Sequence, residues 1–293
     1  MNQPNLSRAI KELEEELGFS IFHRTSRGIT VTPQGDELLL YASSILRQVD
    51  EVEAMYKHGK PKKQCFSISV PRSSYISAAF VEFAKQLDQS KSAEIFYKET
   101  NAIRAIDNIL MSDYKLGIIR YQHIFDDRFK MMLDEKGLKS ELLCEFNYIV
   151  VMARSNPLSS KEDLDYKELK GFIEIAHADP FVPSLPLSKV QEEEFTHEID
   201  KRIFVFERGS QFDLLQHVPN TFMWVSPIPQ ETLDKYDLVQ IPCSANQRVY
   251  RDVLIYRNGY ILSDLDKLFI TEVCKVKRKN IPTQWYRVLS SPD

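Results

Sequence analysis

The sequence is poor in the features that announce most chemistries. No apolar run of roughly 18 residues occurs, so neither a membrane-spanning helix nor a membrane partner is expected. The opening residues, MNQPNLSRAIKE, lack the charged-then-apolar pattern of a secretory signal, and a cytoplasmic location is expected. The four cysteines, Cys65, Cys144, Cys243 and Cys274, stand far apart and form no CxxC pair. That spacing argues against a disulfide framework or a thiolate zinc site and for buried free thiols. The histidines, His23, His58, His123, His177, His197 and His217, show no HExxH or other paired metal spacing. There is no GxSxG, no phosphate-binding glycine loop and no GxGxxG, so no metal, no cofactor and no enzymatic turnover is expected. His177 and Asp179 share a predicted loop, but no nucleophile stands nearby, and the plain reading there is exposed loop polarity. A net charge of -4 gives no overall nucleic-acid signal, so any DNA-binding surface must be local. No repeat of fixed period is found.

What is present fits a globular protein of two domains, one of them split in sequence: 293 residues, 43% hydrophobic and 27% charged. Pro4 to Leu17 reads as a helix with Leu6, Ile10, Leu13 and Leu17 on one face and Gly18 as its stop. Its other face is divided. Asn5, Ser7, Arg8 and Lys11 lie toward the N-terminus, and Glu12, Glu14, Glu15 and Glu16 toward the C-terminus. Acidic residues at that end oppose the helix dipole, but they suit a helix that inserts only its N-terminal end into DNA. Two short strands follow, around Ile21-Phe22 and Ile29 to Val31, with a turn at Ser26-Arg27-Gly28 and with Arg24 and Arg27 near the hairpin tip. Thr32-Pro33 is an N-cap followed by a first-turn proline. The helix they open is expected to run to about Lys57. Along it Leu38, Ala42, Ile45, Val49, Val52 and Tyr56 step by four, three, four, three and four, a heptad seam for pairing with another helix. Packing against its own domain is the alternative. His58 to Pro61 reads as a hinge.

Beyond Cys65 strands and helices alternate. Phe66 to Val70, Ala93 to Tyr97 and Leu116 to Arg120 read as strands. Helices from about Ser74 to Leu87 and Ala102 to Met111 lie between them, which predicts a parallel sheet with right-handed crossovers. After a turn at SNPLSS a second series begins, with strands at Phe172 to Ile175, Arg202 to Phe206 and Phe222 to Val225. A helix opened by Gly209-Ser210 joins the last two. Val253 to Tyr256 is a further strand, and Ser263 to about Lys275 a final amphipathic helix. The fold class is therefore α/β.

The run QPNLSRAIKELEEELGFSIFHRTSRGITVTPQGDELLLYA resembles the helix-turn-helix core of LysR-type transcription regulators. It carries the Q-P-x-L-S-x-x-I-x-x-L-E-x-x-L-G helix, the I-F-x-R strand and the I-T-x-T-x-x-G entry to a linker helix. Downstream, ELLCEFNYIVVMARSNPLSS resembles the crossing between two sensing subdomains in that family, and RDVLIYRNGYILSDLDKLFITEV the return strand and last helix. The resemblance implies a partial winged helix-turn-helix over 1-32 and a dimerising linker over 33-60. It also implies effector-binding subdomains of the type 2 periplasmic-binding-protein kind over 61-153 with 255-293, and over 154-254. It implies double-stranded operator DNA, a small-molecule effector in the cleft, and a homodimer or homotetramer. By position, Gln3, Pro4, Asn5, Ser7, Arg8 and Lys11 fall on the DNA-facing half of the recognition helix, with Arg24 and Arg27 in the wing. Without the resemblance, a solvated helix face accounts for the same residues. The family places two helices ahead of the recognition helix, and here Met1 stands almost at its start. The expectation is either a true start upstream or a form that does not dock on DNA in the family manner.

Ligands of open α/β folds bind beyond the C-terminal ends of strands, where helix N-termini offer free N–H groups to anions. Pro71 to Tyr75, Thr100-Asn101, Ala176 to Phe181 and Gly209-Ser210 meet that condition. The candidate effector residues are Arg72, Ser73, Ser74, Thr100, Asn101, Arg120, His177, Gly209, Ser210 and Ser226. Arg72 or Arg120 would supply counter-charge, and plain helix capping is the alternative for each serine. Two other readings stand beside the main one. One is a regulator that binds effector and pairs with other subunits without its own DNA contact. The other is a cytoplasmic solute-binding protein, which would need neither wing nor heptad helix.

Overall fold

The structure, a computed structural model, describes residues 3–25, 28–36, 38–39, 41–42, 45–46, 49, 63–195 and 198–280. The chain divides into two compact units, Met1–Pro61 with Met111–Asp113, and Lys62–Leu110 with Tyr114–Asp293.

In the first unit, α1 spans Gln3–Leu17, and β1 (Phe22–Thr25) pairs antiparallel with β2 (Gly28–Val31), Phe22 opposite Val31. Gly18 ends α1 with φ at +74°, a conformation that costs a glycine little, and its N–H reaches the Glu14 carbonyl at 3.0 Å. The Glu14 carboxylate then accepts the N–H groups of Ile21 (2.6 Å) and Phe22 (3.1 Å), tying the helix end to the hairpin. Thr32 donates its hydroxyl to the Ser20 carbonyl at 2.7 Å and accepts the Gly35 N–H at 2.9 Å. It thereby caps the helical residues that begin at Pro33. The apolar face of α1 is largely solvated: Leu6 is 49%, Leu13 41% and Leu17 39% exposed. Of the heptad positions, Leu38 and Ala42 are half-buried and Ile45 and Val49 exposed, all four in helical conformation. Val52 and Tyr56 lie outside the described residues.

The second unit holds two five-stranded sheets. In the first, β3 (Gln64–Val70), β4 (Ala93–Glu99) and β5 (Leu116–Gln122) run parallel, joined through α2 (Ser74–Ala84) and α3 (Ala102–Met111). Both faces of this sheet are covered, so β3 buries Ser67 and Ser69 on one face as well as Phe66, Ile68 and Val70 on the other. Leu116 and Ile118 pack with Phe66, Phe83 and Phe269 on one side, while Ile119 packs with Ile106, Phe129 and Ile255 on the other. After α4 (Asp126–Glu135) come β6 (Leu138–Asn147) and, past Tyr148, β7 (Ile149–Ala153) of the second sheet. That sheet adds β8 (Ile173–His177), α5 (Leu187–Glu194), β9 (Lys201–Val205), α6 (Gly209–His217), β10 (Thr221–Val225), α7 (Gln230–Lys235) and β11 (Leu238–Ile241). The chain then returns as β12 (Val249–Arg257) and closes with α8 (Asp264–Asn280).

The parallel pairing expected of the βαβαβ unit holds for β3, β4 and β5, and the sheet as a whole is mixed. The order is β4-β3-β5-β12-β6, with β12 antiparallel to both its neighbours. The second sheet is mixed too: β8 is parallel to β9 and β10, while β7 is antiparallel to β10 and β11. The chain leaves the first sheet through β6 and returns to it through β12, and these two strands pair directly. The return strand expected within RDVLIYRNGYILSDLDKLFITEV is β12, and what the sequence does not show is its antiparallel direction.

Candidate functional site

The C-terminal ends of β3, β4 and β5 in one sheet face those of β8 and β10 in the other across a cleft. The crossing residues Tyr148, Asn246 and Arg248 also wall it. The cavity measures about 170 Å³. An engineered apolar cavity of roughly 150 Å³ holds one benzene molecule, so this space fits a single-ring compound.

Arg72 leaves the end of β3 and forks onto Asp179 beyond β8, with Nη1 to Oδ1 at 2.8 Å and Nη2 to Oδ2 at 3.1 Å. The two side chains are 10% and 14% exposed, so Asp179 is a clasp residue rather than exposed loop polarity. Asn101 strengthens the clasp. Its Nδ2 donates to the Asp179 carbonyl at 3.1 Å, while its Oδ1 accepts the Arg104 N–H and caps α3. His177 also lines the cavity. Burial, followed by the positive charge of Arg72, holds its imidazole down to about 4, so the ring is neutral near pH 7.

Arg120 lines the cavity with its charge already matched. Its Nε and Nη2 each reach an Asp252 carboxylate oxygen at 2.7 Å, and the Tyr75 hydroxyl donates to the same carboxylate. Asp252 is fully buried and sits directly opposite Arg120 in the β5–β12 register. The guanidinium lies over the Phe146 ring at 4.8 Å and donates to the Ser73 hydroxyl at 3.2 Å. The Ser73 and Ser226 hydroxyls meet at 3.2 Å across the cleft. Ser73 therefore stands at the N-cap of α2 without capping it by its side chain. Ser74 accepts from Arg208 at 3.1 Å, and Arg208 also pairs with Glu99 at 3.2 Å, a further link between the two halves.

Of the sequence candidates, Arg72, Thr100, Asn101, Arg120 and His177 line the cavity. Ser73, Ser74 and Ser226 are buried outside its wall, and Gly209 and Ser210 are exposed and away from it. Trp224, which follows a strand end and is expected from the sequence to wall the cleft, lines it, and so do Gln122, Tyr148, Tyr166, Glu174, Glu194 and Arg248, which the sequence did not single out. Glu174 had a legible signal, a lone acid in the apolar strand IEIAH, as did Asp252 in VYRDVLIYR. Glu174 accepts from Arg202 at 2.7 Å, and Glu194 accepts the Tyr250 hydroxyl at 2.8 Å. Burial pushes both carboxyl groups above the usual range despite these partners. Arg248 donates to the Glu194 backbone carbonyl. Gln122 is 3% exposed, and its Nε2 lies near the Glu194 carboxyl group without reaching full hydrogen-bond distance. Among the described residues no group of three or more potential metal ligands occurs, and no helix is long and apolar enough to cross a membrane.

On α1, Asn5, Ser7, Arg8 and Lys11 are exposed. Arg8 bridges to Glu12 at 2.8 Å and Lys11 to Glu15 at 3.7 Å, one turn on in each case. Gln3 and Pro4 lie in the first turn of α1 and Arg24 in β1, while Arg27 lies outside the described residues.

Residues 1–36 match the family described as "Bacterial regulatory helix-turn-helix protein, lysR family". The chain is 20% identical over 244 residues to the HTH-type transcriptional regulator AlsR of Bacillus subtilis, covering 81% of this chain and 75% of that protein. It is 41% identical over 54 residues to the HTH-type transcriptional regulator CzcR of Bacillus cereus, a match to 18% of this chain and 19% of CzcR. Among solved structures, full-length OxyR from Pseudomonas aeruginosa aligns with a TM-score of 0.56 at 16% identity, covering 96% of this chain and 89% of that one. Full-length BenM aligns at 0.51 and 18% identity, covering 95% and 89%. These two likenesses speak for the α/β fold with its helix-turn-helix-like start. The likeness to the LysR family is thus one of sequence over residues 1–36 and one of fold over the rest of the chain.

Proposed function

We propose that this protein is an effector-controlled transcription regulator. In this reading α1 and the β1–β2 hairpin engage double-stranded operator DNA, and the helix that begins at Pro33 pairs with that of a second copy through its heptad seam. A small molecule held between the two sheets changes how the paired heads grip DNA. The observation that carries the reading is the cavity at the facing strand ends, lined by Thr100, Asn101 and His177 and bridged by Arg72 and Asp179. A ligand in such a cleft touches both halves at once, so it favours one relative placement of the halves by its differential affinity. Exposed Ser7, Arg8 and Lys11 supply phosphate and base contacts, and the ion pairs of Arg8 and Lys11 with Glu12 and Glu15 exchange for DNA phosphates.

The test is a gel shift with promoter-proximal DNA across a salt series. Arg8→Ala is expected to weaken binding about tenfold and to lower the log–log salt slope by about one. Salt-insensitive or absent binding by the intact protein removes direct operator recognition. The solvated apolar face of α1 favours a second reading, in which this subunit binds effector and pairs with other copies without gripping DNA itself. Absent DNA binding together with retained self-association selects it.

A further inference from the structure

The cations that reach the cleft are already occupied. An anion entering at the end of β3 and the start of α3 would meet Arg72 and Asn101, but Asp179 already takes both, through its carboxylate and its carbonyl. The Arg120 fork is on Asp252, and Arg202 is on Glu174. Arg248 donates to the Glu194 backbone carbonyl, and its charge acts on the Glu174 and Glu194 carboxyl groups that line the same cavity. An incoming carboxylate therefore competes with Asp179, Glu174 and Glu194 for cations that these acids already share, and the added negative charge is costly in a poorly solvated site. The walls offer instead the rings of Tyr148, Tyr166 and Trp224. They also offer the buried amide of Gln122, whose Nε2 meets no acceptor at full hydrogen-bond distance and has the Glu194 carboxyl group near it. A buried donor left unpaired is costly, and a ligand oxygen relieves that cost.

We infer that the cleft selects an uncharged single-ring aromatic compound bearing a hydrogen-bond acceptor over the corresponding organic acid, and that Asp179 sets this choice. The inference rests on the reading of the cleft as the effector site. Asp179 acts as a built-in carboxylate: it fills the anion position and, through Arg72, holds the two sheets together while leaving the aromatic part of the cavity open.

The experiment compares benzamide with benzoate, which share ring and carbonyl and differ in charge, by calorimetry on the full chain and on Asp179→Asn. The wild-type protein is expected to bind benzamide at least about tenfold more tightly than benzoate, a difference of roughly 1.4 kcal/mol. Asp179→Asn keeps the side-chain shape but leaves the Arg72 guanidinium without its anion. It is expected to gain benzoate affinity by about tenfold or more, and to show a benzoate-dependent rise in Tm that the wild type lacks. Asp179→Ser provides the same test should the amide perturb folding. Benzoate binding to the wild type as tightly as benzamide, no saturable benzamide binding, or an unchanged preference in both variants overturns the inference. Trp224 separates this from the underlying reading: its emission, isolated by difference from Trp224→Phe, reports whether the probe is in the cleft. Calorimetric binding that leaves this emission unchanged overturns the cleft as the ligand site, whereas an inverted charge preference with altered emission overturns only the inference about charge.

Discussion

Arg72 and Asp179, 107 residues apart in sequence, meet in a two-point fork that joins the ends of two different sheets. Both are largely buried, so removing one partner strands the other in a poorly solvated place. Arg72→Gln is expected to lower stability by about 1–3 kcal/mol in urea titration. Combined with Asp179→Asn, the double variant should recover part of that loss, because neither remaining group is a stranded charge. Strict additivity of the two single effects argues against a coupled clasp.

The Arg120–Asp252 pair is more deeply buried and should behave more sharply. Asp252→Leu leaves a guanidinium without its carboxylate and the Tyr75 hydroxyl without its acceptor. A loss of about 3–5 kcal/mol is expected, with the part due to the stranded charge regained in Arg120→Met/Asp252→Leu, where the Tyr75 hydroxyl still lacks its acceptor. If the double variant is no more stable than the single one, the surrounding contacts rather than charge compensation dominate.

His177 predicts a pH dependence. An unfolded imidazole takes up its proton near 6.5, whereas in the folded cleft protonation waits until about 4. The unfolded chain thus binds more protons between these values, and the stabilisation is fully present above 6.5 and lost as pH falls toward 4. The loss amounts to about 3 kcal/mol at most. Since carboxyl groups titrate in the same window, the readout is the difference between wild type and His177→Gln in thermal melts at stepped pH. Parallel curves for the two proteins would show that the imidazole contributes nothing to the slope.

Gly35 is a packing requirement of the N-terminal unit. A Cβ there would lie 2.3 Å from the Ile21 carbonyl oxygen, a backbone atom that cannot swing aside. Gly35→Ala should loosen the first unit by about 1–3 kcal/mol and raise hydrogen exchange across residues 20–36, leaving the two sheets of the second unit unchanged. Thr32→Ala should cost about 1 kcal/mol there by removing the cap. Unaltered exchange in both variants would show that the Thr32–Gly35 turn does not hold the hairpin.

Much of the fold was legible because strands and helices write their period into a few neighbouring residues. Leu116 to Arg120 read as a strand and appears within β5, and Ala102 to Met111 read as a helix and is α3. The orientation of β12 was not legible. Val253 to Tyr256 announces a buried strand but not the direction in which it lies, which depends on where the chain re-enters the first sheet. The site was half legible for a similar reason. Arg72, Thr100, Asn101 and His177 follow strand ends, and strand ends are visible in sequence. Glu194 comes from a helix that the sequence reading did not place, and Tyr148 and Arg248 from crossing segments.

By itself the sequence determined the helix-turn-helix resemblance, the seam beginning at Leu38 and the alternation that builds two α/β halves, and with them the cleft that now appears as a cavity. Only the tertiary structure decided what that cleft offers a ligand. Arg72 and Arg120 are visible as charges in any reading of the chain, but whether they are free depends on partners 107 and 132 residues away, set by strand register and by how the two sheets face each other. Local periodicity reaches a few residues. The neutralisation of a buried charge is settled by whichever distant group shares its low-dielectric surroundings, and here Asp179 and Asp252 occupy those places.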